Sequence, residues 1–214
     1  MPMGKKTNSW IDRLRELRRQ NAPRKFHSAI LLAAGSGLRF GDENGKHLTM
    51  CGGVPVLVRS ALAFESCDRI DEIVVVTRDC DRETCTNLLR SAGVTKLKTV
   101  VSGGETRQSS AKRGFDAVNP NADFVSLHDA ARCLVTPEMI AAVLEEAEIH
   151  GAAACAEKPV DTVKRVNKDG FIEETLDRDR VWLVKTPQTF LANMYRAAAY
   201  TAEKDGFTAT DDCA

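Results

Sequence analysis

The sequence predicts a doubly wound α/β fold, a mostly parallel, Rossmann-like sheet sandwiched between helices, with a β-hairpin arm projecting from it. Three observations carry that expectation. From Phe26 onward short apolar runs alternate with longer stretches of helical periodicity, and β-then-α alternation requires crossover connections between parallel strands. The first apolar run passes directly into a glycine-rich turn. With 214 residues, 43% of them hydrophobic, the chain buries a full core without needing a second globular domain.

Residues 1–25 form a basic extension with eight Lys/Arg against Asp12 and Glu16. Trp10, Ile11, Leu14 and Leu17 recur at helical spacing behind Ser9, so a short amphipathic helix is predicted. Contact with a membrane, RNA or a partner, or a place in a plastid transit sequence, whose acid-poor composition Asp12 and Glu16 fit badly, is the functional reading; a frayed extension or an upstream start codon in the gene is the plainer one. Residues 26–214 are read as one domain. Its strands are predicted at 29–33, 73–77, 98–101, 124–128, 152–156 and 181–185, and its helices at 55–64, 82–92, 109–118, 137–150 and 191–204. Two β-leaning runs, 163–166 and 171–175, flank Asn167-Lys168-Asp169-Gly170, whose residue types favour a turn. They define the hairpin arm, about 158–180.

Composition narrows the function classes. Thirty basic and thirty acidic residues cancel, which gives no general attraction for nucleic acid or an anionic membrane. The seven cysteines are odd in number and contain no CxxC pair, so they read as reduced thiols in place of a disulfide framework or zinc knuckle. No window approaches the roughly 18 apolar residues of a membrane span, and a cytoplasmic location is expected.

The chemistry is expected at strand ends. The first strand leads into Ala33-Ala34-Gly35-Ser36-Gly37-Leu38-Arg39-Phe40-Gly41, where glycines let backbone N–H groups approach phosphate oxygens and Arg39 adds fixed charge. The segment fits neither the GxGxxG dinucleotide fingerprint nor the P-loop. Lys46 follows in a polar loop, and two cations near one phosphoryl group suit a transition state that gathers negative charge. The fourth strand releases His128-Asp129-Ala130-Ala131-Arg132. Asp129 suits a Mg²⁺ that also binds substrate phosphates, and Arg132 offers a planar fork for a phosphate. His128 is read as a structural histidine, since Mg²⁺ favours oxygen ligands.

AAGSGLRFG, the loop lysine Lys46, SGGETRQSS, VSLHDAAR, PVDTVKR, TLDR and VKTPQTF occur in the order and approximate spacing of the 2-C-methyl-D-erythritol 4-phosphate cytidylyltransferase family, which the chain resembles from about Ser28 onward. The resemblance implies a nucleotidyltransferase scaffold, CTP as donor, a divalent cation such as Mg²⁺, and a homodimer in the non-mevalonate route to isoprenoid precursors. It places Ala33, Ala34, Gly35, Gly103, Gly104, Glu105 and Ser110 on the cytidine side, and Arg39 and Lys46 at the transition state. Asp129 is the metal and substrate aspartate, and Arg132, Thr162, Arg178 and Thr186 hold the acceptor phosphate and polyol. The hairpin is implied to be a dimerisation arm that lends Thr162 and Arg178 to the neighbouring subunit.

Three positions depart from the family pattern: Gly45 replaces a proline, His47 a glutamine and Cys133 a proline. Gly45 is expected to loosen the loop presenting Lys46, and Cys133 to expose the site to thiol reagents. The family also continues beyond the Thr210-Asp211-Asp212-Cys213-Ala214 segment through a further strand, a lysine-bearing loop and a closing helix, so a truncated chain with an exposed apolar face is expected. Ribitol 5-phosphate cytidylyltransferases share the scaffold, and a non-catalytic nucleotide-binding relative or a UTP- or GTP-dependent sugar nucleotidyltransferase are the other readings.

Overall fold

A computed structural model describes residues 24–35, 45–209 and 211–213. The predicted helix at the N-terminus and the loop carrying Arg39 lie outside the described residues. Six strands form the central sheet: β1 (His27–Leu32), β4 (Glu72–Thr77), β5 (Leu97–Ser102), β6 (Phe124–Asp129), β7 (Ala152–Glu157) and β10 (Leu183–Leu191). Their order is β5-β4-β1-β6-β10-β7. β1 pairs in parallel with β4 and β6, and β5 in parallel with β4, while β10 runs antiparallel to both β6 and β7. The sheet is therefore mostly parallel with one reversed strand, as the alternation predicts.

Alternating side chains of the central strands feed two cores. Ala29, Leu31, Ile73 and Val75 pack with Leu57, Phe64, Leu89 and Ile140, contributed by α1 (Val56–Glu65), α2 (Arg82–Ser91) and α4 (Pro137–His150). Ile30, Val74, Val76 and Leu127 pack on the other face with Ala111, Phe115 and Tyr195, from α3 (Arg107–Asp116) and α5 (Ala192–Lys204). Gly114 permits the close approach of α3, because a Cβ there would fall 2.5 Å from Ile30 and 2.7 Å from Val76.

Local chemistry fixes the helix ends. Thr136 caps α4 through the Met139 N–H, with Pro137 in the first turn, and Gly151 closes it at φ 88°. α3 starts two residues before the predicted 109, because Thr106 and Ser109 form a reciprocal capping box.

β10 departs further from expectation. The predicted strand at 181–185 is displaced to Leu183–Leu191, which runs through the polar, proline-containing Thr186-Pro187-Gln188-Thr189. In the fold Thr186, Gln188 and Thr189 are buried, and Ser126 and Thr189 share a hydroxyl hydrogen bond of 2.7 Å. The proline sits at a register shift between Val184 and Gln188, where a missing N–H is tolerated, and the Thr186–Pro187 peptide is cis.

The hairpin is present as β8 (Lys164–Val166) and β9 (Ile172–Thr175) in a separate two-stranded sheet. Asn167 Oδ1 accepts from the N–H groups of Asp169 and Phe171, and Gly170 takes φ 86°, as turn chemistry demands. Val166, Phe171 and Ile172 are all more than half exposed. A second short hairpin, β2 (Met50–Cys51) and β3 (Val54–Pro55), links the Lys46 region to α1.

Candidate active site

The carboxyl ends of β1, β4, β5 and β6 share one rim because these strands are parallel. The Ala33 N–H donates to Val76 O at 2.6 Å, the Gly103 N–H to Thr77 O at 2.8 Å and the Ala130 N–H to Leu32 O at 2.9 Å, so the three exits are stitched together beyond the sheet proper. Gly103 is packed so closely that a Cβ would lie 2.3 Å from the Ala34 methyl and 2.8 Å from Ser110 Oγ. Buried Ser110 accepts from the Gly104 N–H at 3.0 Å, and Arg113 donates to Gly103 O at 2.7 Å. Ala34, Gly103, Gly104 and Ser110, predicted from separate motifs, thus form one contiguous surface. Gly35 and Glu105 are exposed at its edge.

Asp129, the last residue of β6, lies between two guanidinium groups. Arg107 Nε and Nη2 reach Oδ1 at 3.2 and 3.1 Å, and Arg132 Nε reaches Oδ2 at 3.0 Å. Burial disfavours the Asp129 carboxylate, but Arg107 and Arg132 outweigh that cost and hold its pKa below the usual carboxylate value. Arg107 also pairs with Asp212 at 2.6 Å. Asp212 is pushed the other way: its deeper burial raises its pKa despite the guanidinium. Gln188 of β10 accepts from the Asp212 N–H at 3.0 Å, and Gln108 of α3 accepts from the Ala209 N–H at 3.1 Å. These bonds hold Ala209 and Asp212 against the rim.

Arg107 and Asp212 were missed by sequence reasoning as site residues. The available signal was their presence in SGGETRQSS and in the doubled aspartate near the end of the sequence; neither reveals that the two meet. A groove of about 580 Å³ between α3 and α5 adjoins this cluster through Thr106, Ser109 and Asp212.

Thr186 is buried and works within the protein. Its Oγ1 accepts from the Asp129 N–H at 3.2 Å and bonds His128 Nδ1 at 3.0 Å. His128 Nε2 lies 3.3 Å from Arg132 O. Fully buried, this imidazole is depressed by desolvation to a pKa of about 4, in keeping with the structural role expected of it. Thr162 and Arg178 are exposed, and Arg178 Nη1 donates to Val160 O at 2.8 Å within the arm. Among the described residues neither shares a hydrogen bond or ion pair with Asp129.

Lys46 opens a 3₁₀ turn, Lys46–Leu48, and is half-buried. Gly45 before it adopts φ 82°, a conformation closed to proline, and is itself buried. The expected loosening is replaced by close packing, since a Cβ on Gly45 would come within 2.9 Å of the His47 ring and 3.1 Å of Arg78. Burial and contact with Cys51 raise the Cys133 thiol above its ordinary value, which opposes thiolate formation at neutral pH.

An open α/β sheet that carries glycine turns and a doubly bridged aspartate on a single carboxyl rim has its site where such folds bind nucleotides, and the family match makes the class nucleotidyltransferase. A profile of the family described as 2-C-methyl-D-erythritol 4-phosphate cytidylyltransferase matches residues 27–214, and the chain belongs to that family. It is 37% identical over 185 residues to the enzyme of that name from Syntrophus aciditrophicus, covering 86% of this chain and 79% of the relative. The same-named protein of Symbiobacterium thermophilum is 39% identical over 185 residues, with coverages of 86% and 77%. The solved 4-diphosphocytidyl-2C-methyl-D-erythritol synthase of Anaerococcus prevotii superposes with a TM-score of 0.79 at 29% identity, covering 89% of this chain and 82% of that one. The cytidylyltransferase of Thermus thermophilus gives 0.68 at 27% identity, with coverages of 86% and 80%. Among the described residues no helix is long and apolar enough to cross a membrane.

Proposed function

We propose that this chain carries out cytidylyl transfer from CTP to 2-C-methyl-D-erythritol 4-phosphate with the rim residues divided between the two substrates. The carrying observation is the convergence of the Ala34, Gly103 and Ser110 surface with Asp129 on one rim. Cytidine lies against Ala33, Ala34, Gly35, Gly103, Gly104, Glu105 and Ser110, where Gly103 and Gly104 let the backbone pack tightly on Ala34, Ser109 and Ser110 and Gly35 faces open space. Arg39 and Lys46 stabilise charge on the α-phosphoryl group as the acceptor phosphate attacks in line and pyrophosphate departs. The attacking phosphate is already an anion at neutral pH, so no general base is assigned.

Arg132, Thr162 and Arg178 serve the acceptor, with Asp129 between acceptor and metal; buried Thr186 serves it only by holding Asp129 through the N–H bond. Among the described residues no three His, Cys, Asp or Glu side chains cluster as a metal cage. The donor set fits a Mg²⁺ that arrives with the triphosphate and takes one protein carboxylate, Asp129. Such an ion supplies charge neutralisation at the phosphates. Arg107 and Arg132 keep Asp129 ionised for that purpose.

The arm makes the dimer. A two-stranded hairpin is marginal by itself, and the exposed Val166, Phe171 and Ile172 mark it as an interface. Thr162 and Arg178 then complete the neighbouring subunit's site. Residues 26–214 act as one catalytic domain in the cytoplasm, and residues 1–25 are an extension outside it.

The test is pyrophosphate release by the purified chain with Mg²⁺, CTP and 2-C-methyl-D-erythritol 4-phosphate, beside ribitol 5-phosphate and beside UTP and GTP. Release with CTP and the methylerythritol acceptor alone is expected. Preference for ribitol 5-phosphate, or for another nucleotide, would transfer the assignment to that chemistry.

A further inference from the structure

We propose that His47 is a positioning residue for Lys46: its buried imidazole, held by Asp81 and roofed by Gly45, fixes the turn on which the lysine is carried. The inference rests on the reading of Lys46 given above and extends it to a residue with no assigned role.

The imidazole is only 2% exposed. Its Nε2 lies 3.3 Å from Asp81 Oδ2 and 3.4 Å from Thr77 Oγ1. Asp81 is acceptor-only when ionised, so Nε2 carries the proton and donates. Nδ1 has no hydrogen-bond partner among the described residues, consistent with a neutral ring that uses one nitrogen. Asp81 is oriented in turn by Arg78, whose Nε donates to Oδ2 at 2.5 Å. Thr77 ends β4, and Asp81 lies at the start of α2. The ring therefore ties the Lys46 turn to two rigid elements of the sandwich.

The backbone supports the same conclusion. The Leu48 N–H donates to Gly45 O at 3.1 Å and the Thr49 N–H to Lys46 O at 3.2 Å, closing a turn only three residues long. So short a turn has little stability by itself, and His47 is its one buried residue. Gly45 and His47 also depend on each other: any Cβ at 45 would press on Cε1 of the ring at 2.9 Å. Without the ring the turn loses its fixed point, and Lys46 would sample several placements relative to the phosphates. Misplacement of a catalytic charge by about 1 Å can reduce turnover roughly a hundredfold, whereas binding of nucleotide through other groups is little changed.

The experiment compares His47→Gln, His47→Asn and Lys46→Ala in the full chain, using steady-state pyrophosphate release and thermal unfolding of each. Glutamine carries an amide N–H far enough to reach Asp81; asparagine does not. The expected result is kcat within about threefold of the original chain for His47→Gln, and a fall of about tenfold or more for folded His47→Asn with KM for CTP nearly unchanged. Equal turnover by the two folded His47 variants would overturn the positioning role. Normal turnover by Lys46→Ala would overturn the reading of Lys46 and this inference with it. A collapse in Lys46→Ala beside a fully active His47→Asn would leave the lysine catalytic and remove only the role of His47.

Discussion

Arg107 grips Asp129 with two nitrogens at once, Nε at 3.2 Å and Nη2 at 3.1 Å from the same carboxylate oxygen. The same Nη2 lies 2.6 Å from Asp212, so one cation serves two acids. Arg107→Met should leave Asp212 buried beside Asp129 without a countercharge and cost about 2–3 kcal/mol, since all three groups keep some access to solvent or to other partners. For a chain of this size that is a fall in Tm of roughly 5–10 °C. Arg107→Lys restores charge without the two-point grip and should fall between. A Met variant that melts with the original chain would show that the pair holds nothing together.

Gly103 offers a test of the cytidine side. Gly103→Ala drives a methyl against Ala34 Cβ at 2.3 Å and Ser110 Oγ at 2.8 Å, and neither neighbour is the free end of a long side chain. Overpacking of this kind costs about 1–3 kcal/mol. Because the displaced groups form the proposed nucleoside surface, CTP affinity measured by calorimetry should fall by about tenfold or more, while Gly93→Ala, which meets no atom within 4 Å but carries strain from φ 82°, should lower stability alone.

Lys46→Ala and Arg39→Ala separate transition-state charge from binding. Each should reduce kcat by about two to three orders of magnitude with CTP affinity within a few-fold, because each charge is invoked mainly as pyrophosphate leaves. Equilibrium CTP binding and single-turnover rates check this directly. A matched loss in affinity would reassign either residue to ground-state binding.

Fold and rim were legible in the sequence to different depths. β1, β4 and β6 could be read because fully buried parallel strands are short apolar runs, and 167–170 because Asn, Asp and Gly announce a turn. β10 was misplaced because its buried Thr186, Gln188 and Thr189 are satisfied by hydrogen bonds with His128, Asp212 and Ser126, which a hydrophobic pattern cannot show. At the site, Asp129, Arg132 and the glycines stand at strand ends, where local position alone points to chemistry. Arg107 and His47 derive their importance from partners 22 and 34 residues distant in sequence, and no local pattern pairs them. Gly45 illustrates the same limit: a missing proline suggests slack, whereas the fold uses a positive φ and a close ring contact.

Two of the buried histidines, His47 and His128, should shape the acid response. His128 is depressed to about 4, and His47 is depressed by burial although Asp81 pulls it upward. A histidine whose folded pKa lies below its ordinary value favours folding fully above about pH 6.5; as pH falls the unfolded chain takes the proton first, and stability is lost through that window. For His128 the window runs from about 6.5 to about 4, and the loss amounts to at most about 3 kcal/mol. Asp129 contributes separately, below the ordinary carboxylate range, because its folded pKa is lowered. Urea midpoints measured between pH 7.5 and 4.5 should decline steadily, and His128→Asn should flatten the decline. A midpoint that stays level down to pH 5 would contradict both assignments.

The proposed dimerisation through the arm makes a prediction that no single variant can supply. If Thr162 and Arg178 complete the neighbouring site, Arg178→Ala disables the partner's site, and Lys46→Ala disables its own. Each variant alone should be inactive, yet a hybrid dimer contains one intact site: the subunit that retains Lys46 receives an unaltered arm from the other. Random exchange makes half the dimers hybrid, so mixing equal amounts after mild dissociation should restore roughly a quarter of the original turnover. Phe171→Asp and Ile172→Asp together, at positions 71% and 65% exposed, should leave the fold intact, shift the chain to monomer in sedimentation and abolish that restoration. Full activity in the monomeric double variant would confine both substrates to residues of one chain, and the arm would then have no part in the chemistry.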